Sequence, residues 1–348
     1  MESLAVELLE GIFTLACTDG GYTGCSLSLV SKNIREASRG ARFHSVSLME
    51  SSLCQMNEFS ACFRAERKRA LAKGSTPRVR HLCVAGSRDE QNRFRSKREE
   101  QAPPRIGSGG MSSSPCWMYA AGTTRMDVGP DQQLAFDDAV AEILTAVSQD
   151  LHTLSVCHGW ATYAKHFRMP TVDGVTFPAL EDLTLVGMEW NFRTNHGMFG
   201  PPTAALPNLA RLHISDVGAS GRYIDLAHWS ARAPRLTHLR LTNMGPYADA
   251  FSQVKTAVAP NSVSVEVLFP NLRQVILQPN EIGGLSSPES YTNQLNGLVS
   301  SATRPLAVLP QRKHVNQPDE RAETKGCWLD RIAGGPGCWD ARIQSPEQ

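Results

Sequence analysis

The chain of 348 residues sets 35 Lys and Arg against 34 Asp and Glu, a formal charge of +1, and so lacks the overall field that draws a protein to nucleic acid or an anionic membrane. Apolar residues at 41% exclude a wholly disordered chain, and no run of about 18 apolar residues offers a spanning helix. The nine cysteines form no C-x-x-C pair, there is no N-x-[ST] acceptor, and Glu2, Glu7 and Glu10 stand where a signal peptide would be basic. Cytoplasm or nucleus is therefore the expected location, without a zinc site, and most thiols read as small buried hydrophobes.

In chain order, residues 4–15 place Leu4, Leu8, Ile12 and Leu15 at helical spacing, with Leu9 and Phe13 widening the stripe. Gly20-Gly21 breaks the chain, and residues 26–38 form a second periodic segment through Leu27, Val30 and Ile34. Phe43 to Leu48 alternates like a short strand. A helix is expected over about 50–72, and its basic end (Arg64, Arg67, Lys68, Arg69) suits a helix C-terminus with a solvated face.

One phrase then recurs six times: Pro77-Arg-Val-Arg-His-Leu-Cys-Val84, Gln149-Asp-Leu-His-Thr-Leu-Ser-Val156, Pro178-Ala-Leu-Glu-Asp-Leu-Thr-Leu185, Pro207-Asn-Leu-Ala-Arg-Leu-His-Ile214, Pro234-Arg-Leu-Thr-His-Leu-Arg-Leu241 and Pro270-Asn-Leu-Arg-Gln-Val-Ile-Leu277. Aliphatics two apart mark a strand with one buried face, and a third aliphatic three residues earlier marks the turn into it. The middle aliphatics Leu82, Leu154, Leu183, Leu212, Leu239 and Val275 are spaced 72, 29, 29, 27 and 36 residues apart. Intervals near 29 suit the long end of leucine-rich repeats. The expected fold is thus α/β, an irregular leucine-rich-repeat solenoid with a parallel, concave sheet. The 72-residue gap holds one or two units. Return helices are expected near 137–149, 222–232 and 247–258.

Residues 87–131 mix charge runs with Pro, Gly and Ser and read as a disordered insertion; 285–348 read as an irregular capping tail whose Trp328 and Trp339 cover the open edge of the last repeat. The residues alternating with the strand aliphatics point from the opposite face. There two neighbouring strands bring together Arg211, His213, His238 and Arg240, a candidate substrate-binding spot for an acidic or phosphorylated stretch, with the histidines adding charge at mildly acidic pH. No nucleotide, zinc-protease or serine-hydrolase motif is present, so no catalytic residue, metal or cofactor is expected; His152, His158 and His166 beside Cys157 lack the carboxylates or paired cysteines of a metal site.

Leu4-Ala-Val-Glu-Leu-Leu-Glu-Gly-Ile-Phe13 resembles the opening of an F-box, and Leu27-Ser-Leu-Val-Ser-Lys-Asn-Ile-Arg35 its second signature, with Ala5 in place of Pro and Ile34 in place of an aromatic. The layout is similar to F-box-like proteins with degenerate leucine-rich repeats common in mushroom-forming fungi. The resemblance implies an F-box-like helical module at 1–50, a linking helix and first repeat strand at 51–86, and the repeat array at 132–284. It also implies a substrate-recognition subunit of a cullin–RING ubiquitin ligase rather than an enzyme. Leu4, Leu8, Ile12, Leu27, Val30 and Ile34 would contact the ligase adaptor, and the repeats would hold a protein substrate. The alternative is a protein-interaction scaffold of the same fold without a ligase link.

Overall fold

The computed structural model describes residues 4–49, 51–71, 76–85, 130–157, 175–187, 206–215, 224–245, 248–259, 268–280, 288–312 and 317–340. Nearly all of the insertion expected at 87–131, together with His158 and His166, lies outside them.

Eight strands build one parallel sheet whose order follows the chain: β1 (Ser45–Leu48), β2 (His81–Ala85), β3 (Thr153–Cys157), β4 (Asp182–Val186), β5 (Arg211–Ser215), β6 (His238–Met244), β7 (Gln274–Pro279) and β8 (Leu306–Val308). The six phrases supply β2 to β7. Their middle aliphatics are in register, and β1 and β8 extend the row, so Val46, Leu82, Leu154, Leu183, Leu212, Leu239, Val275 and Leu306 form one ladder across the sheet. Leu48, Val84, Val156, Leu185, Ile214, Leu241, Leu277 and Val308 form the second. Period-two alternation sends both ladders to one face.

The proline of the phrase has a local cause. Leu180, Leu209, Leu236 and Leu272 donate their N–H to Phe177, Leu206, Ala233 and Phe269 respectively. Each pair closes a four-residue turn with Pro at the second position, where its fixed φ is already correct. The turn ends in the first aliphatic of the phrase, which is buried with the ladders. The carbonyl just before a strand then accepts from two N–H groups of the next unit: His44, Arg80, His152, Glu181, Ala210 and Thr237 all do so. This repeated bond fixes the register independently of side chains.

Nine α-helices are present among the described residues: α1 (Val6–Ala16), α2 (Tyr22–Val30), α3 (Lys32–Ala37), α4 (Leu53–Leu71), α5 (Pro130–Val147), α6 (Leu226–Arg232), α7 (Ala248–Val258), α8 (Pro288–Ser301) and α9 (Gln317–Ile332). Helices α4 to α8 bury Met56, Ile143, Trp229, Val254 and Tyr291, among others, in one core with the two ladders. Helix α9 belongs to the other face, where Trp328 packs with Cys83, Ala85, Cys157 and Val186.

Several expectations are narrowed or changed. Of the one or two units expected in the 72-residue gap there is one, because β2 pairs directly with β3. The short strand read at Phe43–Leu48 is present as β1 and joins the sheet as its first strand, because Val46 and Leu48 continue the ladders. The segment 26–38 is two helices: Ser31 is extended (φ −162°, ψ 167°), and its hydroxyl accepts from Ile34 N to start α3. The basic end of α4 is not merely solvated, since Arg67 Nη1 donates to Ala146 O (2.7 Å) near the C-terminus of α5 and Arg64 pairs with Glu142. The tail from 285 is largely regular, with α8, β8 and α9 in it. Trp328 lies over the interior of the sheet instead of its edge, because the small and apolar side chains of β2 to β4 match its ring.

Candidate functional site

Two surfaces concentrate what a partner could recognise. The first is on the N-terminal helices. Leu4, Leu8, Ile12 and Leu15 are 44%, 58%, 52% and 80% exposed. Steps of four and three residues put Leu8, Ile12 and Leu15 on one side of α1, with Leu4 just before the helix, while Phe13 and Cys17 face inward. Tyr22, Leu29 and Val30 are exposed apolar side chains on α2. Seven of the nine large exposed hydrophobics among the described residues therefore fall between positions 4 and 30. Of the six adaptor-contact candidates, Leu4, Leu8, Ile12 and Val30 are exposed, whereas Leu27 and Ile34 are half-buried. Tyr22 and Leu29, seven apart on α2, are exposed as well and went unremarked in the sequence; their helical spacing was the available signal.

This module is fastened to β1 and α4. Gly20 and Gly21 take positive φ (81° and 104°). Gly20 N donates to Ser45 Oγ, Ser45 Oγ donates to Cys17 O, and Ser47 N donates to Gly20 O. Gly24 crosses the Arg42 backbone so closely that a Cβ would sit 2.3 Å from Arg42 O. Glu66 of α4, 8% exposed, is met by Arg39, Arg42 and Arg69 at 3.4, 3.1 and 3.0 Å.

The second surface is the polar face of the sheet. Register brings Arg211 beside His238 and His213 beside Arg240, as the alternation predicts. The chain's own C-terminal segment covers them. Asp182 Oδ2 accepts from Arg211 Nε (2.9 Å) and from Arg331 Nε of α9 (3.2 Å). Arg240, 3% exposed, donates to Cys338 O, in the 3-10 turn Gly337–Trp339, and to Gln278 Oε1 at 3.4 Å. Farther along α9, Ser215 Oγ donates to Glu320 Oε1 (3.1 Å) and Trp328 Nε1 to Thr153 Oγ1 (3.1 Å). The His238 ring meets Trp339 edge-on at 5.9 Å.

Electrostatics on this face differ from the expected acid-sensitive spot. His213 is held neutral well below the ordinary histidine range, by burial first and then by Arg240 and Arg312. His238 is lowered by burial, with Arg211 and Arg273 adding to it. Desolvation beside permanent cations opposes protonation of both rings, most strongly at His213. Arg211 is paired with a buried carboxylate, and Arg240 faces the chain's own carbonyl. Arg211 and His238 remain half-exposed.

Among the described residues no group of three or more His, Cys, Asp or Glu is arranged to hold a metal ion, and no helix is long and apolar enough to cross a membrane. The chain matches no protein-family model, no curated protein and no solved structure.

Proposed function

We propose that this chain is a substrate-recognition subunit of a cullin–RING ubiquitin ligase, with an F-box-like module at its N-terminus and a leucine-rich-repeat solenoid behind it. The observation that carries the reading is the set of exposed apolar side chains on α1 and α2. Exposed apolar side chains gathered in one small module are a liability in water unless a partner covers them, and the resemblance to an F-box implies the ligase adaptor as that partner. The solenoid reading is supported by strand order that follows the chain and by steps of 29, 29 and 27 residues between in-register leucines. Ala5, where an F-box has Pro, keeps proline's backbone (φ −59°, ψ 144°). A protein substrate then meets the array with the C-terminal cap in place, where Arg211 and His238 are within reach and His213 and Arg240 are not.

The test is co-elution of the full chain with the ligase adaptor at about 10 μM each, a concentration that captures micromolar affinity. Co-elution is expected for the native chain and should be lost with Leu8→Glu plus Ile12→Glu, whose folding is checked by an unchanged thermal midpoint. If the native chain and adaptor elute separately, the ligase assignment fails and an interaction scaffold without that link is the reading left.

A further inference from the structure

Two thiols on the cap are brought together by a built turn. Helix α9 ends near Ile332 and the chain reverses through Gly334-Gly335-Pro336-Gly337, with Gly334 and Gly337 at positive φ (92° and 59°). Asp330 holds the reversal, its carbonyl accepting from Gly335 N and its Oδ2 from Gly337 N (2.8 and 2.6 Å), while Arg331 Nη1 donates to Gly335 O (2.6 Å). The reversal brings Cys338 into the same small cavity as Cys327. Both side chains are half-buried and line one cavity of about 30 Å³ with His213 and Arg240. His213 Nδ1 lies 3.7 Å from Cys338 Sγ. On the same measure a water molecule needs roughly 10–15 Å³, so the cavity admits a two-oxygen molecule.

We propose that Cys327 and Cys338 form a peroxide-oxidisable dithiol on the cap, with Cys327 as the attacking sulfur and Cys338 as the resolving one. The Cys327 thiolate attacks one oxygen of hydrogen peroxide; an S–O bond forms, the O–O bond breaks, and the leaving hydroxide takes a proton to become water. The Cys338 sulfur then attacks the sulfenic sulfur, an S–S bond forms, and the sulfenic oxygen leaves with the Cys338 proton as a second water. Two thiols are oxidised to one disulfide, and one peroxide is reduced to two waters.

The division of labour follows from surroundings. Hydrogen bonding with the Cys338 thiol lowers the Cys327 thiol below its ordinary value and Arg240 assists, against the opposing effects of burial, Glu323 and Asp330. The same hydrogen bond and burial push Cys338 well above it. A lowered, accessible thiol beside a second cysteine is the pattern of oxidant-sensing pairs. Once formed, the disulfide ties the turn to α9 and keeps the Cys338 carbonyl on Arg240.

The full chain is treated with equimolar hydrogen peroxide, alkylated and digested with trypsin without reductant. Cleavage after Lys325, Arg331 and Arg342 separates Cys327 and Cys338 into peptides 326–331 and 332–342, so the disulfide appears as one linked species that reduction splits. It should form at lower peroxide than any oxidation of the exposed Cys25, Cys54 and Cys62. Oxidation of those three without the linked species overturns the proposal. Cys338→Ser should leave a Cys327 sulfenic acid that a 1,3-dione traps, and Cys327→Ser should slow oxidation of Cys338 by at least about tenfold. Unslowed oxidation in the latter variant overturns the assigned roles.

Discussion

Arg331 of α9 and Asp182 of β4, 149 residues apart in the chain, meet at 3.2 Å beneath the C-terminal cap. The same carboxylate oxygen also accepts from Arg211 at 2.9 Å. A nearly buried carboxylate between two guanidinium groups ties the cap to the middle of the sheet. Asp182→Ala removes the shared acceptor and leaves both arginines without it, at a cost of about 2–3 kcal/mol. Urea unfolding of the variant should show a lower midpoint, and trypsin should cut after Arg331 earlier than in the native chain. An unchanged midpoint and cleavage rate would mean that the cap is held elsewhere.

Stability should fall on acidification through a pair of histidines at the start of the sheet. The His44 and His81 rings meet at 4.9 Å. Burial, then Arg80 and His152, lowers His44 from 6.5 to about 4; burial, then His44, His152 and Arg80, lowers His81 to about 3. Folded, both stay neutral where the unfolded chain takes up protons. Their stabilising contribution is therefore complete above about pH 6.5 and is lost progressively as pH falls toward about 4. His81→Gln should reduce the drop in urea midpoint between about pH 7 and about pH 5. An equal drop in both proteins would show that other groups control it.

How much of this was legible in the sequence differs by element. Strands β2 to β7 were plain because their signal is local: alternation sets the face, and Pro178, Pro207, Pro234 and Pro270 set the turns. Strand β8 was not, since Leu306-Ala307-Val308 follows no such phrase and pairs only because β7 offers an open edge. The cap over Arg211, His213, His238 and Arg240 was hidden for another reason. Helix α9 is polar along most of its length, and its fit depends on Trp328 finding Cys83, Cys157 and Val186, side chains assembled from distant segments. At the N-terminus the apolar period named the α1 stripe, but period alone does not say which side faces water. The extended Ser31 re-aims α3, which leaves Val30 exposed and Ile34 half-buried.

Two glycines of the N-terminal module should respond in opposite directions. Gly24 has no room for a methyl group, with Arg42 O, Cα and C at 2.3, 2.9 and 3.0 Å from the position of a Cβ. All three are backbone atoms, so Gly24→Ala must push α2 away from the Arg42 segment and should cost about 1–3 kcal/mol. Gly11 lies inside α1 with nothing within 4 Å of a Cβ. Gly11→Ala should raise stability by about 0.5–1 kcal/mol, because alanine loses less chain entropy in a helix. Thermal midpoints of the two variants settle both signs.

The start of α1 offers a test of the F-box resemblance that needs no partner. Ala5 has φ −59° and ψ 144°, and its carbonyl accepts from Leu8 N and Leu9 N at 3.1 and 3.2 Å. Proline fixes φ at about −65° and keeps that carbonyl, so Ala5→Pro preserves the helix start while restricting the unfolded chain. A gain of about 0.4–1 kcal/mol is expected from that restriction. Proline also narrows the residue before it to extended conformations, so Leu4 must enter the helix extended. A thermal midpoint equal to or above that of the native chain is the expected result. A marked fall would show that the backbone at Leu4 or Ala5 cannot take the proline-led entry of an F-box, and the resemblance at this motif would be a coincidence of residue types.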